Sequence, residues 1–201
     1  MKPDERGKGF GVGLIDGPGE VLMPPSVACV RLNPDHSGEV VWGERIDPAR
    51  TILFSVPLPE SERRFQDIVL NDGAENGTRM WEEVEYPVFN ELEVWQVSAY
   101  STFQAELFVP NEDAEGKLRE ICRDRQVGVE DWTTIRMICS VCSRGNPGPH
   151  ECKPTQPEDG ARRFGFGARC LEDLENVLTD WAKFTPEADY EAVELVLQAF
   201  A

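Results

Sequence analysis

Within residues 139–152 this chain places three cysteines and a histidine, Cys139, Cys142, His150 and Cys152, in the run CSVCSRGNPGPHEC. Thiolate and imidazole are the ligands zinc prefers, and four of them complete a tetrahedral shell. A completed shell leaves no position for a substrate, so the expected role is structural. The surroundings point the same way. Residues 143–161 hold four prolines, three glycines and mostly polar side chains, which without a metal would be a long loop with little to bury. A zinc ion fixes both ends of such a loop and offsets ordering entropy that apolar burial cannot.

In CxxC the two intervening residues let both sulfurs reach one ion. His150 and Cys152, two apart in an extended segment, point to one side and complete the set. The spacing is similar to that of zinc knuckles, a ligand pattern rather than a family. Two other readings stay open: reduced surface thiols, and a redox dithiol at Cys139 and Cys142, though that motif normally opens a helix. Cys29, Cys122 and Cys170 have apolar neighbours and read as small core residues.

A chain of 201 residues with 40% hydrophobic content can bury a substantial core. The expectation is a single α+β domain over residues 1–201, with a soft boundary near 110. It has a mostly antiparallel sheet, a zinc-tied hairpin at 132–168 and two C-terminal amphipathic helices. Strands are predicted over 9–15, 26–32, 39–42 and 51–56, with a turn at 33–38 between the second and third. A helix is predicted over 60–70, ended by Asn71-Asp72-Gly73, with 72–79 as a loop. Further strands follow at 91–99 and 102–109, the latter alternating Phe103, Ala105, Leu107 and Val109 on one face. Asn111 can cap a helix running to about 125, acidic at its start and basic at its end.

Strands at 132–141 and 162–168 would flank the metal. Leu171, Leu174, Val177, Leu178 and Trp181 recur at helical spacing. Thr185-Pro186-Glu187 then carries the signs of a second helix start, with Tyr190, Val193, Val196, Leu197 and Phe200 as its apolar face.

The net charge of −17 favours solubility, disfavours nonspecific attachment to nucleic acid or anionic lipid, and suits a basic protein partner. Between residues 136 and 169 six basic residues face three acidic ones. This island of +3 leaves −20 for the rest.

No run of about 18 apolar residues could span a membrane. The N-terminal residues lack an apolar core for a secretory signal, so a cytoplasmic setting is expected. The glycines at 7, 9, 11 and 13 follow no strand and do not make a phosphate cradle. His36 lies in a turn, and His150 follows the CxxC, which rules out the deaminase order. The run Glu82-Glu83-Val84-Glu85 reads as a solvated face.

The leading expectation is therefore a non-enzymatic, acidic interaction protein with structural zinc, serving as an adaptor, a regulatory or assembly subunit or a neutraliser of a basic partner. One alternative is nucleic-acid binding, with Arg144, Lys153, Arg162 and Arg163 on phosphates and Phe164 and Phe166 stacked on bases. The other is an enzyme whose site is assembled from scattered residues.

Overall fold

The computed structural model describes residues 24, 26–36, 38–81, 83–133 and 161–199. Among the described residues it is an α+β structure of mostly antiparallel sheet with two α-helices.

The first half is a five-stranded meander closed into a barrel. Its strands are β1 (Ser26–Leu32), β2 (Glu39–Arg45), β3 (Arg50–Leu53), β4 (Ile68–Trp81) and β5 (Val84–Gln96). An odd number of meandering strands brings the last back parallel to the first, so the closing β1–β5 pair is the parallel one. Val30, Leu32, Val41, Leu53 and Val69 alternate inward and fill the interior.

The long β4–β5 hairpin slips register between Asn71 and Glu75 and again between Glu75 and Thr78. Such bulges bend a ribbon. Beyond them, Arg79 donates to the Val40 carbonyl of β2 at 3.0 Å. Arg31 of β1 reaches Asn90 Oδ1 at 2.7 Å and the Asn76 carbonyl at 3.3 Å.

The second half comprises β6 (Ser101–Phe108), α1 (Glu112–Asp124), β7 (Gly128–Asp131), β8 (Ala161–Ala168), α2 (Leu171–Phe184), β9 (Asp189–Tyr190) and β10 (Glu194–Leu197). The sheet order is β10-β6-β8-β7, with β9 pairing β6 ahead of β10. A βαββαβ chain in this antiparallel order is the ferredoxin-like arrangement. Asn111 caps α1 by accepting from Ala114 N at 2.9 Å, as the sequence predicts. Leu118, Ile121 and Cys122 of α1 meet Leu174, Val177, Leu178 and Trp181 of α2 over Phe103, Leu107, Phe164 and Phe166. The Trp181 indole donates to the Ala114 carbonyl at 2.8 Å, fixing one helix against the other.

Several sequence expectations are corrected. Residues 60–70 form no α-helix: a short 3-10 turn, Pro59–Ser61, is followed by further turns until β4 begins at Ile68. Glu62 and Gln66 take positive φ of 58° and 69°, which an α-helix cannot accommodate. Residues 72–79 are part of β4 rather than a loop. The second C-terminal helix is replaced by β9 and β10, because the free edge of β6 takes up this segment as strand. Thr185-Pro186-Glu187 makes a turn closed by Ala188 N donating to the Thr185 carbonyl at 3.2 Å. Cys29 and Cys122 are buried, whereas Cys170 is exposed. The strand expected at 9–15 lies outside the described residues, as does 134–141; before it the strand is Gly128–Asp131, with Trp132 and Thr133 in a turn.

Candidate functional site

Along β8 the sequence runs Arg162-Arg163-Phe164-Gly165-Phe166-Gly167-Ala168, and its alternation of ring and hydrogen joins the two halves of the chain. Phe164, Phe166 and Ala168 face the helices. Gly165 and Gly167 leave the other face bare, and aromatic rings fill the space: Trp132 lies against Gly165, and Phe65 against Gly167 and Gly128. A Cβ on Gly167 would stand 2.5 Å from Phe65 Cβ, and one on Gly165 would fall inside the Trp132 ring's envelope. The Trp132 indole donates to the Val56 carbonyl at 3.0 Å, and the Phe65 ring meets Tyr100 edge-on at 5.0 Å. The β3–β4 connection of the barrel is thereby seated on the sheet.

Two half-buried carboxylates lie along this seam. Glu39 accepts from Leu58 N through both oxygens at 3.1 Å. Burial pushes its carboxyl up to about 7 against that bond, with Glu130 and Glu60 adding repulsion. Glu130 is also raised, first by burial, while Arg119, Ser55 and Arg79 oppose the shift and Asp131 adds to it. A carboxyl near 7 can hold or release a proton at neutral pH. Here, the Glu39 carboxylate is committed to the chain's own backbone. Sequence reading missed both residues because Glu39 and Glu130 are 91 positions apart in a chain with 37 acids.

The expected metal ligands Cys139, Cys142, His150 and Cys152 lie outside the described residues, as do Arg144 and Lys153. What is described is the base of that segment, the antiparallel β7–β8 pair running from Gly128↔Gly167 to Asp131↔Phe164. Arg162 is clamped there between Asp131 and Glu115, with Glu115 Oε2 at 2.8 Å. Burial disfavours the Arg162 charge, but the bonds to Asp131 and Glu115 outweigh it and raise its pKa. Arg163 donates to Gln104 Oε1 at 3.1 Å and lies over the Trp132 ring.

These positions correct one part of the nucleic-acid reading, the two stacking rings. Phe164 and Phe166 are 0% exposed, so neither ring has a face to offer a base. Arg162 is already neutralised by two carboxylates. Cys29 and Cys122 are removed from thiol chemistry as well, since burial pushes them up to about 11 and about 12.

Among the described residues, no group of three or more metal-ligating side chains is found, and no helix is long and apolar enough to cross a membrane. No protein-family model and no curated protein matches this chain. Among solved structures, a hypothetical protein from Neisseria gonorrhoeae is similar at 10% identity and a TM-score of 0.36, covering 90% of this chain and 99% of that one.

Proposed function

We propose that this chain is a non-enzymatic interaction protein for a basic protein partner, with a structural zinc ion held by Cys139, Cys142, His150 and Cys152. The observation that carries the reading is how the chain occupies its own positive charge. Arg50, Arg63, Arg119, Arg125 and Arg162 each pair with one of its own carboxylates. Arg45, Arg79 and Arg169 lie over aromatic rings. Exposed acids such as Glu44, Glu83, Glu85, Glu93, Glu106 and Glu175 are left facing solvent. A surface of that kind attracts cationic partners and repels nucleic acid.

The zinc supports the segment between β7 and β8. Its ligands would tie off the far end of a hairpin whose base is the Asp131–Arg162 clamp. The metal's contribution is folding energy rather than chemistry.

The test is capture from cells in which the chain is native, followed by reconstitution with the purified captured protein. The expected result is a saturable complex with one basic protein, weakened as salt rises. Turnover of a small substrate by homogeneous protein, with no such complex, would overturn the reading.

A further inference from the structure

We infer that the tip of the β4–β5 hairpin is the docking surface for a basic, partly apolar polypeptide segment of the partner, with Trp81 as its anchor. This deepens the basic-partner reading and rests on it. The register pairs Arg79 with Tyr86, Met80 with Glu85 and Trp81 with Val84. Alternation along paired strands therefore puts Arg79, Trp81, Val84 and Tyr86 on one face, and Met80 and Glu85 on the other.

Trp42 of β2 supports the first face. Its ring meets Trp81 edge-on at 6.0 Å and Tyr86 edge-on at 5.2 Å. The Trp81 ring is thus propped by a neighbour, yet it stays 56% exposed, with Val84 at 50% on the same face and Met80 at 61% on the reverse. Other large side chains are as open, among them Leu92 and Phe184; what sets Trp81 apart is a ring held from behind by Trp42, with Val84 beside it on the same face.

Other tryptophans of the barrel are already matched with cations. Arg79 lies 4.7 Å over Trp42, and Arg50 lies 5.9 Å over Trp95. Among the described residues no guanidinium or ammonium lies over Trp81. A tryptophan face next to a turn that carries the exposed Glu83, with the exposed Glu85 on the reverse of the same hairpin, fits an incoming arginine or lysine, stacked on the ring and drawn in by the negative charge of the turn. Val84, on the same face, fits an apolar residue next to that cation. Polypeptide meets this combination, whereas a phosphate backbone meets only repulsion.

The probe is a fluorescein-labelled peptide of alternating arginine and leucine, titrated into the full chain at low salt. A glutamate-for-arginine version and a single-stranded oligonucleotide serve as controls. Wild type should bind the basic peptide and neither control. Trp81→Ala, and separately the pair Glu83→Lys with Glu85→Lys, should each weaken binding about tenfold. Glu172→Lys with Asp173→Lys, an equal charge change at the exposed start of α2, should leave it within about twofold.

Thermal melts of each variant separate loss of the site from loss of fold. If peptide binding is salt-sensitive but indifferent to Trp81→Ala, or falls equally with the α2 reversal, the docking site is overturned and the basic-partner reading stands. No binding by wild type, or preference for the oligonucleotide, overturns both.

Discussion

Glu39→Gln should stabilise this protein, and by more as the pH rises. The folded carboxyl sits near 7 against an ordinary 4.5, chiefly because it is buried. The folded state therefore holds the proton more tightly than the unfolded state does. Below about pH 4.5 both states are protonated and the burial cost is absent; it grows through the interval and is complete above about pH 7. At 1.36 kcal/mol for each tenfold change, the full cost is about 3 kcal/mol. Glutamine keeps an oxygen for Leu58 N but no charge. Its weaker hydrogen bond returns part of the gain, leaving about 1–3 kcal/mol at about pH 8. Urea unfolding of both proteins, at several pH values between about 4.5 and 8, reads this directly as a change in midpoint at constant slope. A variant less stable than wild type at about pH 8, or a difference that does not vary with pH, would refute the burial account of Glu39.

Other perturbations probe the remaining structure. Gly165→Ala drives a methyl into the Trp132 ring and should cost about 2 kcal/mol or more, read by urea unfolding together with a shift in tryptophan emission. Arg63→Met leaves the buried Glu91 carboxylate without the guanidinium that stands 2.5 Å away, and should cost about 3 kcal/mol in the same assay. Trp132→Phe keeps a ring in place but removes the bond to the Val56 carbonyl, and should cost at least about 1 kcal/mol. Elemental analysis of tag-free protein should find about one zinc per chain, lost in Cys139→Ser with a fall in melting temperature. Folded, reduced wild type without metal would remove the zinc proposal.

What can be read from the sequence is what local rules decide. The helix after Asn111 is legible because its cap, its acidic first turn and its apolar stripe agree. β6 is legible from strict alternation. The misreadings share a cause: long-range pairing overrules local pattern. Tyr190, Val193 and Leu197 have helical spacing, but the open edge of β6 claims this segment as strand. Residues 72–79 look like a loop because they are polar almost throughout, and only pairing with β5 across several bulges holds them as strand. Glu62 and Gln66 give no warning of left-handed backbone, since neither is glycine or asparagine. The Phe-Gly-Phe-Gly run of β8 does carry a signal. Rings on one face and hydrogens on the other mark a sheet with neighbours at two different depths.

That two-faced strand also bears on how the chain is made. Val56 and Phe65 emerge from the ribosome about a hundred residues before Gly165 and Gly167, the surface that covers Phe65. Until translation passes β8, the nascent barrel presents an unfinished apolar side, open to chaperones and to other nascent chains. A stop codon placed just after β5 should therefore yield an aggregating fragment, although every strand of the barrel has already been synthesised.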